Sequence, residues 1–85
     1  MEFRLTIIGS KTVIFKYSLK EERVDIPKGI TKRELQAHLR TKLPVSIFKR
    51  RLEIRRQNGN ALLLGEMVDV FDILEESVYD IYWHY

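Results

Sequence analysis

"VYDIYWHY", residues 78–85, decides how this chain is read, because it is either the last strand of a sheet or a tail. Tyr79, Ile81, Trp83 and Tyr85 alternate with Val78, Asp80, Tyr82 and His84. A period of two places the members of each set on one face of an extended chain, so the stretch predicts a strand. Just upstream, "MVDVFDILEES" mixes spacings and reads as a short helical turn leading into that strand. Before it, "RRLEIRRQ" and "ALLLGE" flank Asn58-Gly59, a pair that tolerates the positive φ of a tight turn, and predict two strands joined as a hairpin.

Further upstream the period changes. Leu35, Leu39 and Leu43 recur every fourth residue in "ITKRELQAHLRTKLP", which predicts a helix over residues 32–43. Thr31 and Glu34 match a capping box, Ile30 and Leu35 match a hydrophobic staple, and Pro44 stops the element. At the start, "FRLTIIG" and "KTVIFKYS" both alternate and are separated by Gly9-Ser10, which predicts a first hairpin with its turn there. Residues 19–29, "LKEERVDIPKG", leave two readings: a charged turn, or a strand in which "RVDI" extends the second strand or forms a separate edge. Pro27 closes either strand.

The 85 residues, 45% of them apolar, fit a single domain over residues 1–85. With no cysteine, disulfides and thiolate metal sites are excluded, and an intracellular setting, cytoplasm or nucleus, is expected. No apolar run approaches the roughly 18 residues of a membrane span, and no basic leader opens the chain, so no membrane partner is expected. The net charge of +3 conceals an asymmetry: all 15 Lys and Arg residues fall at or before Arg56, against six acids there, while the other six acids follow with no base. Residues 1–56 therefore carry +9 and residues 57–85 carry −6. Such a dipolar chain suits nucleic acid or an acidic partner, or simply a solvated surface whose halves interleave.

Hairpin, helix, two strands, helical turn and final strand is the order of the ubiquitin-like β-grasp, and the residues resemble that family over nearly the whole chain. "MEFRLTIIGSKTVIFKYS" is similar to the family's opening, "KRRLEI" to the strand after its helix, and "VDVFDILEESVYDIYW" to its final stretch, with Val68, Phe71 and Ile73 at the buried loop positions. The resemblance implies an α+β fold in which a mixed five-stranded sheet packs on one main helix. It also implies an insertion of about nine residues between the second strand and the helix. The family's apolar receptor patch maps onto Glu53, Asp80 and Tyr82, two of them acids, and burying unpaired carboxylates against an apolar partner is costly. Ordinary receptors of that patch are not expected to bind.

The densest charge is Lys49, Arg50, Arg51, Arg55 and Arg56, with Arg51, Glu53 and Arg55 on one face opposite Leu52 and Ile54. Lys32, Arg33 and Arg40 of the helix are candidates to join it. This cluster suits an anionic partner, protein or RNA, or is a solvated face interrupted by Glu53. Tyr82 and His84, with Tyr79 or Tyr85, offer an aromatic patch of the kind found at interfaces. His38 and His84 lack carboxylates at ligand spacing, so no metal site is expected, and no serine carries a nucleophile motif. The resulting expectation is a non-catalytic protein-interaction module or small adaptor without cofactor, with an RNA-associated β-grasp domain as the alternative. Conjugated members of the family end in a flexible tail closing with two glycines, whereas only His84 and Tyr85 follow Trp83. Incubation with ubiquitin-activating enzyme and ATP is expected to form no thioester, and a thioester-linked adduct on a non-reducing gel would refute this.

Overall fold

The computed structural model describes residues 10–85. They form β1 (Ser10–Tyr17), β2 (Lys20–Pro27), α1 (Lys32–Lys42), β3 (Arg51–Arg56), β4 (Ala61–Leu62) and β5 (Val78–His84). The result is an α+β arrangement of one mixed five-stranded sheet, ordered β2-β1-β5-β3-β4, and one helix. Residues 78–84 are thus the middle strand, parallel to β1 and antiparallel to β3. A central strand has both rows of backbone groups paired, and its alternation hides one row of side chains: Tyr79, Ile81 and Trp83 are buried. Tyr79 stacks on Phe15 of β1, with ring centroids 6.4 Å apart, and its hydroxyl accepts the Glu76 backbone N–H at 2.9 Å. The largest wholly buried side chain therefore keeps its polar end satisfied.

Helix α1 covers that row. Leu35, Leu39 and Leu43 join Val13 and Phe15, Val24 and Ile26, and Leu52 and Ile54 in one core. Both halves of the capping box form: the Glu34 backbone N–H donates to Thr31 Oγ1 at 3.1 Å, and the Thr31 backbone N–H to Glu34 Oε1 at 2.9 Å. Ile30 packs against the core beside the cap, as the staple requires. The helix ends at Lys42 because Pro44 excludes the helical region for Leu43, which is extended at φ −117°, ψ 151°.

The first hairpin differs from the sequence expectation. The strand expected over "FRLTIIG" and Gly9 of the expected turn lie outside the described residues, but Ser10 is paired with Pro27 and begins β1 rather than turning. The hairpin is β1–β2, closed by the Tyr17–Lys20 pair around Ser18-Leu19, and Ser18 takes the positive φ of 56°. Primed two-residue turns need that sign because their twist matches the strands they join. Residues 20–27 are consequently a separate edge strand, and only four residues separate Pro27 from Lys32. The expected nine-residue insertion before the helix is absent; the extra length precedes β1.

Two further expectations are corrected. The β3–β4 turn is a three-residue loop in which only Gly59 has positive φ, with the Gly59 backbone N–H donating to the Arg56 carbonyl at 2.8 Å, and β4 stops after Leu62 with Leu63 fully exposed. In the crossing segment, Val70 and Leu74 are the buried pair, whereas Val68, Phe71 and Ile73 are half-buried. A single turn brings Val70 and Leu74 together, the Leu74 backbone N–H donating to the Val70 carbonyl at 2.9 Å. The segment is anchored to the start of α1 by Lys32 N–H to Val68 O at 3.0 Å and Arg33 N–H to Glu66 O at 2.9 Å. Since Leu35 and Leu39 are wholly buried, replacing either with Ala is expected to cost about 2–5 kcal/mol. Wild-type-like urea midpoints for both variants would refute this packing.

Candidate interaction surface

With one sheet face under the helix, the other is open. Strand alternation places Arg51, Glu53 and Arg55 of β3 on it, beside Asp80, Tyr82 and His84 of β5. The register pairs Arg51 with His84, Glu53 with Tyr82 and Arg55 with Asp80. Six of the nine predicted site residues are thereby assembled on one surface. Glu53 is its hub: Oε2 accepts from Arg55 Nε at 2.8 Å, and Oε1 accepts from His84 Nε2 at 2.6 Å. Arg55 in turn lies over the Tyr82 ring, 4.6 Å from its centroid. These two hydrogen bonds, that from Arg55 foremost, hold the Glu53 carboxyl below its ordinary pKa against a smaller opposing effect of burial, and the pair raises that of Arg55.

Charge on this face alternates across the sheet. Glu21 on β2, Lys16 on β1, Asp80 on β5 and Arg55 on β3 are successive register partners, with Lys16 and Glu21 4.0 Å apart. Opposite charges facing one another stabilise strand pairs and leave the face near neutrality. The expected basic cluster is therefore divided. Arg51 and Arg55 belong to the open face, and Arg51 Nε donates to the Tyr85 carbonyl at 3.0 Å. Arg56 points to the opposite side, 3.7 Å from Glu76, and Lys49 and Arg50 belong to the loop before β3.

The helix cations do not extend the cluster as a free surface. Arg40 donates to the Ser46 carbonyl at 3.4 Å and to the Lys49 carbonyl, and lies over the Trp83 ring, 4.8 Å from its centroid. It ties the loop to the core. Lys32 sits at the other end of α1, its Nζ donating to the Leu64 carbonyl at 3.3 Å. Among the aromatic candidates, Tyr82 and Tyr85 are exposed, whereas Tyr79 is wholly buried and drops out of the patch.

Where β4 ends, an open cleft of about 420 Å³ is lined by Lys32, Arg51, Leu62, Leu64, Glu66 and His84, among others. Its mixed lining of acids, cations and leucines suits contact with a surface. Among the described residues no three His, Asp or Glu side chains are placed to hold a metal ion, and no helix is long and apolar enough to cross a membrane. The sequence matches no protein-family model and no curated protein.

The Glu53 hub gives stability a defined pH dependence. A carboxyl whose pKa is lowered by folding contributes fully above its unfolded pKa, and that contribution fades as pH falls through the folded value. Glu53→Gln is therefore expected to be less stable than wild type near neutral pH, with the gap closing at about pH 2–3. Urea unfolding at both pH values checks this, and an undiminished gap in acid would show that the carboxylate is not its source.

Proposed function

We propose that this chain is a ubiquitin-like β-grasp module that acts by binding another protein, without catalysis, through the open face of β3 and β5. The strand order, with its parallel β1–β5 centre and a helix crossing one face, is compatible with that fold. The observation that carries the reading is the Tyr82–Arg55 pair. Tyr82 is 43% exposed in the centre of the face, and the guanidinium above it is already oriented by Glu53. Tyr and Arg are the residue types that concentrate binding energy at protein interfaces, and a pair ordered before contact loses less entropy on docking.

An RNA partner is the weaker alternative. Binding to phosphates needs surplus positive charge along a track, whereas here acid and base alternate across four strands and Arg55 and Arg56 each have an acidic neighbour. Tyr82→Ala and Arg55→Ala remove the pair from the face with little change to the core. A protein retained by the immobilised wild-type chain is expected to be lost at least about tenfold with Tyr82→Ala, while the melting temperature stays within a few degrees. Equal retention of every protein by wild type and Tyr82→Ala would overturn the assignment of this face. Retention of RNA that falls steeply with salt would favour the alternative.

A further inference from the structure

The loop between α1 and β3 leaves Ile47 and Phe48 exposed, at 76% and 69%, on a braced support. The Phe48 backbone N–H donates to Ser46 Oγ at 3.2 Å, the Lys49 N–H to the Ser46 carbonyl at 3.1 Å, Gln36 Nε2 to the Arg50 carbonyl at 2.7 Å, and Arg40 to both Ser46 and Lys49. Lys42, Lys49 and Arg50 surround the apolar pair, and among the described residues none of the three has an acid within ion-pair distance. Two large apolar side chains held outward inside a cationic rim have the anatomy of half an interface, lacking an acidic, partly apolar counterpart.

The same chain carries one. Between Val70, bonded to Ile30, and Ser77, bonded to Ile14, lie exposed Asp72 and Glu75, neither in an ion pair among the described residues, and Met67 just before them is 71% exposed. This segment lies at the start of α1 and the end of β3, while the Ile47–Phe48 loop lies at the end of α1 and the start of β3. An 11-residue helix is about 16 Å long, beyond the roughly 8 Å over which charges act at physiological salt. The two poles cannot neutralise each other within one molecule. Helix-dipole compensation accounts for acids at one end and bases at the other, but not for the outward Ile47, Phe48 and Met67.

We propose that the Ile47–Phe48 loop of one molecule docks on the acidic 66–76 segment of a second copy of this chain, head to tail. Because the two contact surfaces differ, each molecule leaves one surface free, and association runs on into open chains instead of closing as a dimer. This assembly is independent of the partner face formed by β3 and β5, and either reading can fail without the other.

Sedimentation velocity of the intact chain at low salt is expected to show an average mass that rises past the dimer with concentration, and that returns toward the monomer as salt increases. Ile47→Ser/Phe48→Ser blocks one pole and Asp72→Lys/Glu75→Lys the other, with Lys49→Glu/Arg50→Glu as a second loop variant should the first fold poorly. Each is expected to be monomeric with native circular dichroism, and mixing a loop variant with the acidic-segment variant is expected to restore one interface and stop at two chains. A wild type monomeric up to about 1 mM would exclude all but negligible affinity and overturn the proposal. So would a mass that plateaus at the dimer, variants that still assemble, or a mixture that stays monomeric. Binding of anionic vesicles or RNA by the loop without self-association would assign the loop to those partners instead.

Discussion

The burial of Tyr79, Ile81 and Trp83 in the middle strand is the constraint on which the rest of the molecule depends. A strand hydrogen-bonded on both edges has one register, because a slip of one residue would send three large rings and branched chains into solvent and bring Asp80 and His84 into the core. That register fixes which residues meet on the open face. Glu53 reaches His84 and Arg55 reaches over Tyr82 only because Trp83 and Ile81 are committed to the other side. The interaction surface is, in this sense, a consequence of the core.

Trp83 links the core to the loop as well. Its ring is 4% exposed beneath the Arg40 guanidinium, and Arg40 also holds the carbonyls of the Ser46–Lys49 turn. A cation over an aromatic face is attracted by the ring quadrupole, more strongly as water is excluded. One residue on the last turn of α1 thus closes the end of the core and sets the direction in which Ile47 and Phe48 point. The arrangement explains why a loop with two exposed apolar side chains has a defined conformation.

Much of this was legible in the sequence where two independent signals coincided. The helix had both its leucine spacing and its capping box, and the final strand had strict alternation over eight residues. The first hairpin was misplaced because "FRLTIIG" and "KTVIFKYS" both alternate and Gly9-Ser10 is the conventional turn signal, whereas the actual turn, Ser18-Leu19, contains neither Gly nor Asn. Strand β2 was ambiguous because an edge strand with one open face can carry Lys20, Glu21, Glu22 and Arg23, leaving only Val24 and Ile26 to declare its buried side. On the open face, the Glu53–Arg55 pair follows from spacing alone. The contact of Glu53 with His84, 31 residues away, requires the β3–β5 register, which no local pattern specifies.

The division of charge along the chain acquires a spatial meaning from the same topology. A strongly basic first part and an acidic second part need not make a polar molecule, because strands from both parts interleave in the sheet, and on the open face they do so one for one from Glu21 to Arg55. The uncancelled charge is left to the segments outside the sheet, which are the loop before β3 and the crossing segment before β5. Those two segments are held at opposite ends of α1, one by Gln36 and Arg40 and the other by the backbone groups of Ile30, Lys32 and Arg33. Neutralisation within the sheet and polarity beyond it therefore arise from one strand order, and the surfaces with net charge are those for which the fold itself supplies no partner.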